Sequence, residues 1–281
     1  MVAPRVPAVA GQFYAADGAA LARQVESCFL DERGPGALPE RHRTSGRRIR
    51  AAVVPHAGYP YSGPIAAHVY DAVAGERAPA SVLILGVNHA GIGAAAALSD
   101  RDWTTPLGPV PVDHELVRSL TGGPIEVDEE AHLPEHSIEV QLPFLQYVLP
   151  KPRFAALMIR YGPLRFLREV GAAVRQATQG TDVLLLASTD FSHYVPPERA
   201  DELDHLAIDA IVARDAQRLY DVVAERDISM CGIAPTTALL AALEGEPLTG
   251  RLLRWGHSGE AQTMSTVVGY AGLLLERDAA A

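Results

Sequence analysis

DVLLLASTDFSHY, residues 182–194, is a short apolar run that stops in a cluster of hydrogen-bonding side chains. The run is continuous rather than alternating. A strand with one wet face would show every second residue polar, so this one is expected to be covered on both faces. The same pattern recurs at 49–54 (IRAAVV), 81–86 (SVLILG) and 153–162 (RFAALMIRYG). Helix-length segments separate these runs, at 64–74, 113–120, 136–149 and 164–178. Three more helical stretches, at 198–213, 215–225 and 233–244, follow the last run.

Strand alternating with helix predicts an α/β fold, a single domain over residues 1–281 with a mixed, largely parallel central sheet covered by helices on both faces. GAAAALS (93–99) is expected to pair locally, and RLLRWG with STVVGYAGLLL to form a late antiparallel pair. Pro64 suits the first turn of its helix, Asp113 an N-cap, and Pro143 predicts a kink or restart. Residues 31–47, rich in Gly, Pro and Arg, are expected to form an exposed loop. Cys28 falls on the apolar face of a helix, where a small buried hydrophobe is expected.

The formal net charge of −10 argues against a nucleic-acid or acidic-membrane partner. Two cysteines do not make a disulfide framework, and neither a signal peptide nor a spanning segment is evident. The cytoplasm is the expected compartment.

In an open α/β sheet, ligands bind outside the carboxyl ends of the strands. His56 follows the first strand, Asn88 and His89 the second, and Asp190 and His193 the strand at 182–188. If the first two strands are neighbours, both imidazoles hang over one edge. Cys231 lies just ahead of a helix expected to begin near Pro235, where the helix dipole would favour a thiolate. Two imidazoles and a sulfur suit Fe, Cu or Zn and leave coordination positions open. Glu135 and His136 sit where a helix is expected to start. Glu135 could serve only the helix dipole, and His136 could be a proton donor or a capping partner. Trp103, Tyr14, Tyr59 and Tyr61 are candidate pocket linings. His42, His114 and His205 are expected in solvent, and His68 on its helix is a weaker candidate.

Seven strings occur in order over nearly the whole chain: PAVAGQFY, VVPHAGYPYSGPIAAHVY, ILGVNHAGIG, TPLG, EHSIEVQLPFL, STDFSHY and SMCGIAP. Together they closely resemble the Memo family, whose prokaryotic members are called AmmeMemoRadiSam system protein B. The resemblance implies a fold similar to the class III extradiol dioxygenases, which use non-haem Fe(II). It also implies a His, His, Cys metal set, here His56, His89 and Cys231, with Asp190 and His193 as further polar site residues. The extradiol enzymes use two histidines and a glutamate, so Cys231 is a departure from them. As partners the resemblance implies radical-SAM and AMMECR1-like proteins.

Three functions are compatible with these residues. One is a metal-dependent oxidoreductase acting on an unidentified small molecule, with Fe(II) first and Cu or Zn as alternatives. There His193 would be the general acid or base, Asp190 would orient a histidine or water, and His136 would assist. The second is a non-enzymatic module that binds a peptide or partner protein. The third is a metal carrier.

Overall fold

The computed structural model describes residues 3–41 and 44–278, so His42 lies outside the described residues. The strands are β1 (Ile49–Val54), β2 (Ser81–Val87), β3 (Ala96–Ser99), β4 (Trp103–Thr105), β5 (Gly108–Val110), β6 (Glu126–Val127), β7 (Phe154–Ile159), β8 (Val183–Ser188), β9 (His193–Val195), β10 (Leu248–His257) and β11 (Val267–Arg277). The helices are α1 (Gly18–Leu30), α2 (Tyr59–Gly75), α3 (His114–Leu120), α4 (Leu142–Val148), α5 (Leu164–Thr178), α6 (Pro197–Val212), α7 (Ala216–Glu225) and α8 (Ile233–Ala242).

The main sheet runs β10-β11-β1-β8-β2-β7-β3-β6, with β9 added to β11 and a separate β4-β5 hairpin. The central four strands, β1, β8, β2 and β7, are all parallel. Antiparallel partners flank them, β11 beside β1 and β3 beside β7. The expected mixed α/β domain is therefore what forms. Every residue of the four central strands is buried. Alternate side chains enter opposite layers. Ala51, Val53, Leu83, Leu85, Leu185 and Leu157 pack with helices α3 and α5–α8. Ala52, Val54, Ile84, Leu186 and Met158 pack with α1, α2 and α4. Both faces are dry, which is why the strands read as unbroken apolar runs.

Three local expectations are corrected. β1 and β2 are not neighbours, because β8 lies between them. Helix α2 starts at Tyr59, so Pro60 takes the first turn and Pro64 lies inside the helix. The Pro60 carbonyl that Pro64 cannot serve accepts from Arg33 instead, at 3.2 Å. The segment from His136, expected to be helical, is not so over 136–138, and the restart expected at Pro143 is what forms. Residues 139–141 form a single 3₁₀ turn, and α4 begins at Leu142 with Pro143 in its first turn. His136 and Glu135 therefore stand in a loop ahead of it. Asp113 does cap α3, accepting from the backbone N–H groups of Glu115 and Leu116.

The N-terminal segment is pinned by one buried carboxylate. Glu139 is fully buried and accepts from Arg5 Nη1 at 2.6 Å, Tyr14 Oη at 2.6 Å, and the backbone N–H of Ala8 and Val9 at 2.7 and 3.0 Å. Arg5 also donates to the carbonyls of His132 and Glu135. His132 is itself fully buried, donating from Nε2 to Ala97 O at 3.1 Å, while its Nδ1 has no partner. Burial first, then the nearby Arg5 charge, pulls its pKa down from 6.5 to about 4. The unfolded chain thus binds a proton that the folded chain refuses between pH 6.5 and 4. Stability from this residue is complete above that window and is lost as pH falls through it, about 3 kcal/mol in all. Urea unfolding across this range should show His132→Phe losing that part of the slope. An unchanged slope would show that His132 does not carry it.

Candidate metal centre

The loops after β1, β2 and β8 meet at the carboxyl edge of the sheet. Their approach is close because two glycines allow it. A Cβ on Gly86 would lie 2.4 Å from Ile138 Cγ1, and one on Gly232 would lie 2.2 Å from Thr189 Cβ. The first contact seats the Glu135–Ile138 loop on the end of β2, and the second seats the Cys231 loop on the end of β8.

His56 is buried, and its tautomer follows from the hydrogen bonds around it. Gln141 Nε2 lies 2.9 Å from Pro55 O and 2.8 Å from Ser188 Oγ. A carbonyl only accepts, so the amide nitrogen faces Pro55, and Tyr70 Oη donates to Oε1 at 2.7 Å. Ser188 Oγ uses its one hydrogen toward Ser137 O, at 2.6 Å. Only a lone pair of Ser188 remains for His56 Nδ1, 3.0 Å away. Nδ1 must therefore carry the proton, and Nε2 keeps its lone pair. Burial, followed by the neighbouring His136 and His89, holds the His56 pKa well below 6.5, so the ring is neutral.

His89 is set in the same sense by a carboxylate. Glu135 accepts from the backbone N–H of His89 at 3.0 Å, of His136 at 2.8 Å and of Ser137 at 2.9 Å. Its oxygens lie 3.0 and 3.1 Å from His89 Nδ1. Burial works against ionising Glu135, but the His89 bond and the other donors outweigh it and lower its pKa. An ionised carboxylate only accepts, so His89 Nδ1 donates, and in the neutral ring Nε2 is the lone-pair nitrogen. Glu135 thus orients a histidine rather than serving a helix dipole. His136 stacks on His89 with ring centroids 4.9 Å apart and planes 5° from parallel. Phe13 covers His136 at 4.5 Å. Burial lowers the His136 pKa as well. The His56 ring stands at 88° to both. His56, His89 and His136 each offer a nitrogen, all within 4.8 Å of one another, and could hold a metal ion.

Cys231 Sγ lies 3.2 Å from His56 Nε2. It accepts from Asp190 N–H at 3.3 Å. Burial, then the Asp190 charge, raises the thiol pKa. Without an ion the expected thiolate is thus a thiol, whose proton has the His56 lone pair at 3.2 Å and Asp190 O at 3.6 Å as acceptors. Helix α8 starts at Ile233, earlier than Pro235, but its N-terminus does not overcome this burial. The Asp190 carboxylate accepts from His56 N–H at 2.7 Å, and burial pushes its pKa up to about 6. His193 Nδ1 lies 2.7 and 2.8 Å from the carbonyls of Phe191 and Ser229, so it donates and Nε2 is the basic nitrogen.

Other candidates do not join this group. Trp103 is fully buried between His132 and Phe154, with its indole N–H on Ser99 Oγ. Tyr59 is buried and donates to Val140 O, and Tyr14 is held by Glu139. Each aromatic went to the core because its polar end found a partner there. Asn88 is buried beside His89, donating to Ile92 O, with no partner for Oδ1. His68 meets Arg33 O, and His114 is exposed as expected, whereas His205, expected in solvent, is half-buried against Trp255 and paired with Asp201. Ser188 and Gln141, which set the His56 tautomer, were not among the expected site residues. An uncharged residue at the end of an apolar strand and one inside an amphipathic segment carry no composition signal.

Neutral imidazoles with their Nδ1 protons already assigned, beside one sulfur, are the donor chemistry that a borderline or soft transition metal takes. The fold and these side chains define a mixed-sheet α/β protein with an imidazole-rich, potentially metal-holding centre at its strand ends. The chain belongs to the Memo family: a sequence model described as "Memo-like protein" matches residues 5–274. A MEMO1 family protein of Methanopyrus kandleri is 42% identical over 281 residues, covering 97% of this chain and 99% of that one. Another, from Methanothermobacter thermautotrophicus, is 42% identical, covering 96% and 99%. A third, from Sulfurisphaera tokodaii, is 38% identical, covering 95% and 97%.

Long-range proton–nitrogen correlation on the metal-free protein should find His56 Nε2 unprotonated. Ser188→Ala should erase that tautomer preference and weaken Zn(II) binding roughly 10- to 100-fold. Unchanged affinity, with a folded spectrum, would show that Ser188 does not orient the ligand.

Proposed function

We propose that this protein is a metal-dependent oxidoreductase of dioxygenase-like fold, with His56, His89 and Cys231 holding its ion. The observation that carries the reading is the pair of imidazoles whose Nδ1 protons are fixed by Ser188 and Glu135, with a sulfur 3.2 Å from one free nitrogen. His136 is close enough to compete for the ion. Cys231 lies outside that group of three nitrogens, but its sulfur is in contact with the lone-pair nitrogen of His56. That supports Cys231 as the third ligand and leaves His136 to carry a proton beside it. Fe(II) is the preferred ion, with Cu or Zn as alternatives that accept the same donors. When bound, such an ion supplies redox or Lewis-acid chemistry at the strand ends.

The chain's own groups divide the remaining tasks. His193 presents a basic Nε2 and acts as the general acid or base toward a bound substrate. Asp190 fixes the backbone of His56, so it positions the first ligand rather than touching substrate. Asn88 adds a buried, unpartnered oxygen beside His89. The substrate is a small molecule or a peptide, radical-SAM and AMMECR1-like proteins are the proposed partners, and the cytoplasm is the proposed compartment. Among the described residues no helix is long and apolar enough to cross a membrane.

Protein purified anaerobically and titrated with Fe(II) should bind one ion per chain and consume O₂ with a subset of oxidisable small molecules. Cys231→Ser should alter the ligand-field spectrum and lower affinity by more than the roughly 10- to 100-fold expected from an orienting residue. His193→Gln should keep metal affinity while losing turnover. Full loading without turnover of any compound in a broad panel would overturn the oxidoreductase reading. A Cys231→Ser spectrum identical to wild type, with His136→Ala abolishing binding, would replace sulfur by nitrogen as the third ligand.

A further inference from the structure

Beside the imidazole cluster, β9 and β11 form the floor of an open cleft of about 230 Å³. Its walls include Tyr61, Tyr194, Met264, Thr266, Val268 and Tyr270, and none of its lining residues is charged. The cleft adjoins His193. Val268 is paired in register with His193. The Tyr194 ring lies 5.9 Å from that of His193. Tyr61 stands in the first turn of α2, five residues beyond His56.

Two observations point to an occupant. Tyr194 has a left-handed φ of 59°, unusual for a bulky residue, and its side chain is 78% exposed. Both features cost free energy, and the β9–β11 pairing with the two bonds at His193 Nδ1 holds them in place. A flat apolar group laid on this ring would remove that surface from water. Secondly, the Ser258 hydroxyl on the wall is already engaged, donating to Met264 Sδ at 3.4 Å and accepting from Val268 N–H at 3.0 Å. The thioether is thereby fixed at the cleft, where sulfur favours an aromatic edge. A dry apolar cavity of roughly 150 Å³ accommodates benzene, so the present volume suits one ring with small substituents.

We infer that this cleft seats an uncharged, ring-sized apolar part of the substrate and directs the rest of that molecule toward His193 and the imidazole cluster. The inference rests on the metal-dependent reading above for the word substrate, and on the cleft itself for the chemistry. A carboxylate or phosphate would find no cation in these walls, and it would pay desolvation next to the buried Asp190.

The test uses the full chain labelled with ¹³C at methionine methyls, with and without Zn(II). Met264 reports the cleft, and Met158, buried in β7, is the control. Phenol and indole should shift Met264 but not Met158, with dissociation constants on the order of 1 mM. Benzoate and phenyl phosphate should bind at least about tenfold more weakly. Met264→Glu should weaken phenol binding about tenfold or more, Met264→Leu should restore it, and both should bind Zn(II) as wild type does. Anionic compounds binding as well as phenol, or no Met264 shift at saturating phenol, would overturn the inference. Phenol binding without any Zn(II) or Fe(II) binding would remove the metal reading while keeping the cleft. Metal binding without phenol binding would do the reverse.

Discussion

The site depends on β8 lying between β1 and β2. The chain makes β1, crosses through α2 to β2, and only much later inserts β8 into the space left between them. The edge above β8 is therefore where the loops after β1 and β2 come to either side of the loop after β8. β8 then does more than separate its neighbours. Its last residue, Ser188, meets His56, and Asp190 just beyond it binds the His56 backbone. Thr189 N–H continues the ladder to Val54 O at 2.9 Å, so the loop geometry is an extension of sheet geometry. A site placed on strand ends in this way is held as rigidly as the core.

The second constraint is protonation. A buried imidazole is costly when charged, and three of them close together could not all be cations. Burial keeps His56 and His136 neutral at neutral pH. Glu135 supplies the negative charge nearby, but its oxygens are occupied by three backbone N–H groups and by His89. Asp190, pushed up to about 6, contributes less charge as acidity rises. The rings of His56 and His136 thus keep lone pairs rather than charges.

The layer order of the fold was legible because double-sided burial erases alternation. The runs at 49–54, 81–86 and 182–188 could hardly be other than central strands, and the helix expected at 164–178 is α5 (Leu164–Thr178). His56, His89, Asp190 and Cys231 were legible because each lies at the end of such a run or just ahead of a helix. What was not legible was adjacency. Spacing left open whether β1 and β2 are neighbours, since nothing local in the sequence announces that β8 will come between them. The aromatic candidates failed for a related reason: Trp103 and Tyr59 carry a polar end that either a pocket or a core carbonyl can satisfy, and only tertiary packing chooses. Ser188 and Gln141 were invisible because their role depends on which of their hydrogens is already taken.

The buried carboxylate of Glu139 connects two strings that lie more than a hundred residues apart in the chain. It gathers Arg5, Ala8, Val9 and Tyr14, and so fixes the N-terminal segment across the loop that bears Glu135 and His136. Phe13, within that segment, then lies on the His136 ring, and Phe13 O accepts from Tyr59 N–H at the start of α2. One side of His136 is thus closed by His89 and the other by Phe13. Packed this way, the His136 ring is held with a nitrogen within 4.8 Å of those of His56 and His89. Cys231, from the opposite loop, is in contact with His56 as well. The N-terminal segment therefore bears on the site without contributing a donor atom to it. It fixes the orientation of one of the three rings that could hold an ion.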